Sequence, residues 1–249
     1  MESVQVSIRE GIAAVTLARG KVNPVNGRVV DELREAFRAL EGNPDVRALV
    51  FTGQGSFFSF GFDVPEFLSF SREEFTGFLV NFTDLYTELF LYPKPVIAAL
   101  NGHTIAGGCM LALACDQRIM AGGRGRISLN EIAFGAAVFA GSTEMLRFCT
   151  GSANAARILY SGDMYTADEA LALGLVDGVA AESDLQNRAE AAARDFGGKY
   201  GPAFAAVKSL LRQPVADDMI RRERASIDAF VDIWYSEHTW ANVRNIKIR

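Results

Sequence analysis

Two adjacent glycines stand where backbone amides could do chemistry. Gly107 and Gly108 follow an apolar run at residues 95–100, typical of a buried strand, and they open an apolar helical run. The first amides of a helix lack intrahelical acceptors, so these N–H groups and the helix dipole favour negative charge on oxygen. An oxyanion hole is often built in this way. Taken alone, the segment is explained equally well by glycines that allow a tight strand–helix crossing.

A second loop of the same kind comes earlier in the chain. Residues 58–63, Phe-Ser-Phe-Gly-Phe-Asp, follow a short apolar run at residues 48–52 that suits a central strand. In a parallel α/β arrangement, both loops lie outside the carboxyl ends of neighbouring strands, where ligands usually bind. One N–H from each loop could then converge on one oxygen, which favours the oxyanion interpretation over packing alone.

The elements that must hold these loops alternate between strands and helices. The predicted strands are 4–8, 12–18, 48–52, 95–100, 116–121 and 126–129, and the predicted helices are 28–41, 72–91, 141–149 and 152–160. Thr166 and Glu169 form a capping box for a further helix that ends near Gly174. We therefore predict an α/β core at residues 1–183, followed by a helical C-terminal region at 184–249.

The helical tail carries apolar faces that must pack against the chain's own core or against another subunit. Their residues are Phe204, Val207, Leu210, Leu211, Ile227, Phe230, Val231 and Trp234.

Composition and charge exclude several classes of function. The chain of 249 residues is 49% apolar, and its net charge of −5 argues against a protein that binds nucleic acid by neutralising phosphates. No Cys-x-x-Cys pair is present and neither histidine has metal-ligand spacing, so we expect no metal. The first residues do not resemble a signal peptide, and no apolar stretch could span a membrane. We expect a soluble, cytoplasmic protein.

Several motifs resemble, in order and spacing, those of the crotonase, or enoyl-CoA hydratase/isomerase, family. They are Phe58-x-x-Gly61-x-Asp63, the run from Lys94 to Gly102, Gly107-Gly108-Cys109, Cys115-Asp116-x-Arg118, Thr166-Ala167-Asp168-Glu169-Ala170 and Gly174-Leu175-Val176-Asp177. The resemblance implies an α/β fold of the crotonase (ClpP-like) type, a spiral of ββα units whose helical C-terminal region builds trimers, often paired into hexamers. It also implies a substrate bound as its coenzyme A thioester, with no separate cofactor.

The resemblance further implies roles for individual residues. The thioester carbonyl would lie between the N–H groups of Phe62 and Gly107, which stabilise the enolate formed when a proton leaves C2. Hydratases of the family use two glutamates to activate water; one of these positions is Met110 here, and the other is Glu131. Leu-Asn-Glu at residues 129–131 resembles the Δ3,Δ2-enoyl-CoA isomerase branch, in which one glutamate carries a proton from C2 to C4.

Glu131 should lie in an apolar pocket if it acts as a base near neutral pH. We expect Ile132, Phe134, Val138 and Phe139 to supply that pocket and to raise the pKa of Glu131 by desolvation. The alternative is that Glu131 is a solvated acid at the end of a strand.

By resemblance, the remaining substrate contacts lie on short segments. They are Lys21, Val22 and Asn23 beside the nucleotide, Phe60 and Val64 near the adenine with Gly61 and Asp63 between them, and Gly108, Met110 and Phe139 further along the chain. Lys21 would meet a phosphate or be simply solvated. Asp63 should fix its loop by accepting backbone N–H bonds. Lys208, Arg244 and Lys247 are further candidates for the coenzyme A phosphates.

Other conspicuous residues are expected outside the chemistry. We interpret His103 and Asp116 as structural, Cys109 as a small buried hydrophobe, and Glu144 as a surface residue on the helix after Glu131. The phenylalanines of residues 57–62 either narrow an acyl pocket or pack against the helix at 72–91.

Three functions remain open at this point. The favoured one is isomerisation of 3-enoyl-CoA to 2-trans-enoyl-CoA by Glu131 alone. The second is an enoyl-CoA hydratase or acyl-CoA hydrolase that recruits water without a carboxylate at position 110. The third is an acyl-CoA-binding protein without turnover, which the retention of Glu131 and both glycine loops disfavours. We expect a homotrimer or a dimer of trimers, with no nucleic-acid or membrane partner.

Overall fold

Repeated ββα units build the core, as seen in a computed structural model that describes residues 1–246. The strands are β1 (Val4–Arg9), β2 (Ile12–Leu17), β3 (Ala48–Gly53), β4 (Phe57–Ser59), β5 (Val96–Leu100), β6 (His103–Ile105), β7 (Gln117–Ala121), β8 (Ile127–Ser128) and β9 (Gly178–Ala180). The helices are α1 (Gly27–Glu41), α2 (Val64–Phe67), α3 (Arg72–Phe90), α4 (Gly107–Ala114), α5 (Ala140–Ser161), α6 (Ala167–Leu173), α7 (Leu185–Gly197), α8 (Gly201–Trp234) and α9 (Glu237–Val243), with 3-10 turns at Glu131–Phe134 and Glu182–Asp184.

Each unit after the first gives one strand to each of two sheets. The larger sheet has the order β1-β2-β3-β5-β7-β9 and is parallel except for the β1–β2 hairpin. The smaller sheet, β4-β6-β8, is parallel throughout. The chain therefore advances by one strand in both sheets with each unit, which is the spiral that the resemblance implied.

The central strands of the larger sheet are buried on both faces. In β3, Leu49 and Phe51 belong to the main core, whereas Ala48 and Val50 lie in a second cluster with Ala189 of α7. A parallel strand covered on both faces is expected to be apolar at consecutive positions, as this run is. Helix α7 thus covers the outer face of the sheet.

The predicted helix boundaries are close to those observed. The helices expected at 141–149 and 152–160 are the two halves of α5, which Gly151 interrupts with φ 75° and ψ 162°. The capping box of α6 is present, since Thr166 and Glu169 each accept the other's backbone N–H, and Gly174 ends the helix with φ 73°.

The helical tail uses only part of its apolar surface to cover the chain's own core. Phe230 and Trp234, near the end of α8, are buried against α3. Val207, Leu210 and Leu211, in the first half of α8, are 58%, 80% and 60% exposed. Among helices within residues 1–246, none has the length and apolarity that a membrane crossing needs.

A buried ion cluster attaches α8 to the ends of α3 and α4. Asp116 accepts bonds from Lys208 at 2.8 Å and from Arg212 at 3.2 Å, and Arg212 also donates to the carbonyls of Phe90 and Ala114, both at 2.9 Å. Burial lowers the pKa of Lys208 to about 8, against the opposing effect of Asp116. Asp116 is therefore structural, as predicted, and Lys208 is already engaged rather than free to bind a phosphate.

Candidate active site

The two glycine loops lie against each other at one edge of the smaller sheet. They follow β4 and β6, which are parallel neighbours, rather than following β3 and β5 directly as the sequence suggested. A Cβ placed on Gly61 would lie 3.2 Å from the Gly107 nitrogen and 3.0 Å from the Ala106 Cβ. The carboxyl ends of neighbouring parallel strands thus bring the loops together, but in the sheet that was not foreseen.

The glycine pair lies in tight contact with the loop at residues 58–63. A Cβ on Gly107 would lie 2.8 Å from the Phe62 ring, and one on Gly108 would lie 2.7 Å from the Cβ and the carbonyl oxygen of Ser59. Close packing therefore demands glycine at both positions. The preceding residue, Ala106, has φ 49° and ψ −119°, a strained conformation for a residue with a side chain.

Where the two glycine loops meet, a junction formed by residues 61–62 and 106–107, two backbone amides have no acceptor among residues 1–246. Around Phe62, the Val25 N–H donates to the Gly61 carbonyl at 2.8 Å and the Asp63 N–H donates to the Val25 carbonyl at 2.9 Å, which leaves the Phe62 N–H unused. Gly107 is the first residue of α4, so its N–H has no intrahelical acceptor. These are the two amides that the resemblance assigned to an oxyanion hole.

A cavity of about 210 Å³ adjoins this junction. It is lined by Phe60, Phe62, Val64, Ile105, Ala106, Asn130, Glu131, Phe134, Phe230, Trp234 and Ile246. Its walls are mostly aromatic and aliphatic, and Asn130 and Glu131 supply polar side chains beside each other.

Glu131 is a buried carboxylate, not the solvated strand-end acid considered as the alternative. It opens the 3-10 turn after β8 and is 4% exposed, and its Oε2 has no hydrogen-bond partner in the described part of the chain. Desolvation raises its pKa to about 8, although its own backbone N–H acts in the opposite direction. A base with a pKa near the working pH suits proton transfer.

The pocket around Glu131 differs from the expected one. Phe134 lines the cavity, but Ile132 is 49% exposed, so its expected role was wrong. Phe139 is fully buried behind the wall, with its ring centre 4.6 Å from that of Phe230. Val138 is only partly buried against the core. Phe230 and Trp234 also line the cavity, and they were not predicted there because α8 is far from Glu131 in the sequence.

The segment at residues 21–23, expected beside the nucleotide, is partly exposed and partly buried. Lys21 is exposed, whereas Val22 is buried. Asn23 is buried as well, and its side-chain amide donates to the carbonyls of Gln54 at 3.1 Å and Phe57 at 2.8 Å. Asn23 thus ties its loop to β4, and Lys21 is the member of the segment that is free to meet a ligand.

The second loop is fixed by Asp63, as predicted. Its carboxylate accepts the Glu66 N–H at the start of α2 and pairs with Arg19 at 2.6 Å. Phe60 and Val64, expected near the adenine, line the cavity that contains Glu131.

Met110 and Arg244 do not line the cavity. Met110 is fully buried in α4. Arg244 is exposed just after α9, and Lys247 lies outside the described residues.

The remaining residues singled out in the sequence are mostly structural. The His103 ring lies 4.9 Å from the Phe57 ring, and burial lowers its pKa. Cys109 is buried, and desolvation raises its pKa far above the usual range. Glu144 is not a surface residue: it is 8% exposed and accepts bonds from Arg147 at 3.0 Å and Arg222 at 2.6 Å.

The aromatic loop lines the cavity and also packs against α3. Phe62 lines the cavity, and its ring also packs on Phe78 and Phe82 of α3 at 5.2 and 4.8 Å.

The fold and the site together define an α/β protein of the crotonase class. The family model described as enoyl-CoA hydratase/isomerase matches residues 7–242, and the chain belongs to this family. Within residues 1–246, no group of three His, Cys, Asp or Glu side chains is placed to hold a metal ion.

Relatives of the chain carry both names of the family. A probable enoyl-CoA hydratase of Bacillus subtilis is 32% identical over 214 residues, which is 85% of this chain and 82% of the relative. The mouse mitochondrial enoyl-CoA delta isomerase 1 is 28% identical over 222 residues, 88% of this chain and 77% of the relative. The crystal structure of human mitochondrial delta3-delta2-enoyl-CoA isomerase superposes on this chain with a TM-score of 0.93 at 26% identity. The match covers 97% of this chain and 95% of the human chain.

Proposed function

We propose that the protein is an enoyl-CoA isomerase that converts 3-enoyl-CoA to 2-trans-enoyl-CoA, with Glu131 as its single acid–base residue. One observation carries the proposal. Of the carboxylates in residues 1–246, only Glu131 lines the cavity, and burial raises its pKa to about 8. A lone base beside two unused amides has what is needed to move a proton and hold an enolate.

In the proposed reaction, the thioester oxygen accepts bonds from the Phe62 and Gly107 N–H groups. Ionised Glu131 removes a proton from C2, and the electron pair of that C–H bond moves toward the carbonyl to form the enolate. The protonated Glu131 then gives its proton to C4. The double bond moves from C3–C4 to C2–C3, and no atom is gained or lost.

Hydration is disfavoured because the position of the second hydratase glutamate holds a methionine. Met110 carries no proton, is fully buried and does not line the cavity. Activation of water by two carboxylates is therefore not available from that position.

One observation favours enoyl-CoA hydratase as a second candidate. The Asn130 Oδ1 is buried without a partner in the described residues, and its side chain lines the cavity beside Glu131. A water held between these two acceptors would be oriented for attack on an enoyl thioester.

A product assay separates these functions. Purified protein is incubated with a 3-enoyl-CoA and, separately, with a 2-trans-enoyl-CoA, and products are identified by mass and by the ultraviolet absorbance of the conjugated thioester. Isomerisation leaves the mass of the 3-enoyl-CoA unchanged and produces the conjugated thioester. A mass gain of one water indicates a hydratase, free coenzyme A indicates a hydrolase, and binding without conversion indicates a protein that has lost turnover. Glu131→Gln should be inactive, whereas Glu73→Gln, an exposed acid on α3, should retain activity.

We also propose that the chain assembles as a trimer or a dimer of trimers through the first half of α8. The exposed apolar residues Val207, Leu210 and Leu211 support this, since such a patch on one helix face is typical of an interface. The cytoplasmic location stays a prediction, because the mouse relative is described as mitochondrial.

A further inference from the structure

Helix α9 lies on the turn that carries Glu131. Thr239 donates its hydroxyl to the Gly135 carbonyl at 2.6 Å, and the Asn242 side-chain amide donates to the Phe134 carbonyl at 3.1 Å. These carbonyls end the 3-10 turn Glu131–Phe134 and its C-cap. Two side chains of α9 therefore satisfy backbone acceptors that a short turn leaves open.

The contact is close and partly buried. Gly135 has φ 88°, and a Cβ placed there would lie 3.0 Å from the His238 ring and 3.2 Å from the Thr239 hydroxyl. Thr239 is buried, and Val243 anchors the other end of α9 in the core. Beyond α9, Ile246 reaches the wall of the cavity itself.

Backbone bonds within the turn and contact with α5 also hold this segment. A 3-10 turn has weak hydrogen-bond geometry, and Asn130 at its start makes no side-chain cap bond within residues 1–246. The Ala136 N–H closes the turn on the Glu131 carbonyl at 2.9 Å. Among residues 1–246, Thr239 and Asn242 supply the side-chain hydrogen bonds to the far end of this turn.

We propose that Thr239 and Asn242 are positioning residues: by clamping the turn, they keep the Glu131 carboxylate directed into the cavity and shielded from water. This inference rests on the proposed function for its kinetic consequence, but the clamp itself does not. Of the titratable groups near the turn, Cys109 of α4 is buried and neutral, and His238 of α9 is exposed beside Gly135.

The test is the double variant Thr239→Val/Asn242→Leu, which removes both donors and keeps the side-chain volumes similar. The matched control is Asn245→Leu, because Asn245 is exposed just after α9 and its side chain donates to the Ala241 carbonyl rather than to the turn. Thr239→Ser keeps the hydroxyl and should behave as the wild type. Displacement of a catalytic group by about 1 Å can cost about a hundredfold in rate. We therefore expect kcat of the double variant to fall about tenfold to a hundredfold with KM little changed.

A second readout does not depend on turnover. Carbon-13 NMR of labelled glutamates, with Glu131 assigned through Glu131→Gln, follows the titration of this carboxyl. In the double variant the pKa of Glu131 should fall toward its ordinary value, because water reaches the carboxylate. In the Asn245→Leu control it should stay near 8.

The two readouts separate the clamp from the reaction. Unchanged kcat and unchanged titration in a folded double variant would overturn the clamp. A lowered pKa in a protein that does not isomerise 3-enoyl-CoA would support the clamp and contradict the proposed function. If the double variant does not fold, Thr239→Val alone decides by the same two readouts.

Discussion

Glu131 is ionisable yet almost fully removed from water, and this placement sets the acid–base behaviour of the site. Its Oε2 has no partner in the described part of the chain, so the carboxylate is stabilised neither by a cation nor by a donor on that oxygen. Desolvation then favours the neutral acid and makes the ionised form a stronger base. A carboxylate that lines a cavity and lacks hydrogen-bond partners is more typical of a functional group than of a structural one.

The first prediction concerns the pH dependence of activity. Glu131 must be ionised to remove a proton, and burial raises its pKa to about 8. We expect kcat/KM to rise with pH and to level off above about 8, as measured by isomerisation rates across the neutral and alkaline range. A profile that is flat through this range, or that falls toward alkaline pH, would be inconsistent with Glu131 as the base.

The second prediction concerns the pH dependence of stability. The folded protein holds the Glu131 proton up to about pH 8, whereas an unfolded chain releases it near 4.5, the pKa of an unperturbed glutamate. The folded state binds more protons between these values, so this residue's contribution to stability falls as pH rises from 4.5 to about 8 and is then constant.

Glu131→Gln should remove that dependence and raise Tm at alkaline pH by several degrees, measured by thermal unfolding at two pH values. Equal changes in Tm with pH in the wild type and in the variant would contradict this account.

Single residues were predictable where a motif marks them. Glu131, Phe62 and Gly107 follow from the resemblance, and the structure places all three around one junction. The sequence around Phe230 and Trp234 has ordinary helical periodicity. That periodicity does not distinguish residues that line a cavity from residues that pack in the core. Their role depends on how α8 folds back over the core, which only the tertiary structure shows.

At the level of elements, the start of α4 combines close packing with a backbone amide that has no intrahelical acceptor. The helix can begin against the Phe62 ring because position 107 has no Cβ. The same closeness leaves the Gly107 N–H beside the unused N–H of Phe62. Substitution at this position should therefore disturb both amides at once.

The third prediction is that Gly107→Ala lowers kcat by about 10²–10³-fold, the usual cost of losing an oxyanion donor. The added Cβ would lie 2.8 Å from the Phe62 ring and push the two loops apart. Gly77→Ala is the matched control, because a Cβ at Gly77 on α3 meets nothing within 4 Å. Steady-state kinetics of both variants checks this, and near-normal activity of Gly107→Ala would contradict the assigned oxyanion hole.

Elements with long or periodic patterns were predictable, whereas the three-residue strands β4, β6 and β9 were not. Helices α1 and α3 match their expected ranges within a residue or two. Strands β4 and β6 are three residues each, and β6 begins immediately after a glycine turn. Pairing between successive units, rather than local propensity, makes them strands.

At the level of the whole molecule, α8 divides the tail into two parts with different surroundings. Its second half packs on α3 and α5 and walls the cavity. Its first half leaves three apolar side chains exposed. The sequence showed both apolar faces, but it did not show which of them the chain covers itself, since both have the same helical periodicity.

The fourth prediction concerns assembly. A trimer would have about three times the 27.1 kDa mass of the chain, as measured by light scattering on a sizing column. Leu210→Glu places a charge on a residue that is 80% exposed in the single chain and should release monomers. Leu171→Glu is the matched control, because Leu171 of α6 is 44% exposed and lies outside the proposed interface. This variant should remain a trimer. A wild-type monomer, or a Leu210→Glu trimer, would contradict the proposed interface.

The central claim is that Glu131 alone carries one proton from C2 to C4, and isotopic labelling tests this most directly. A 3-enoyl-CoA with both C2 hydrogens replaced by deuterium is incubated with the protein in ordinary water, and the product is analysed by mass spectrometry. Because the base is buried, the account predicts 2-enoyl-CoA with part of the deuterium at C4, and no conversion by Glu131→Gln. A 3-hydroxyacyl-CoA product, or isomerisation by Glu131→Gln at the wild-type rate, would contradict it.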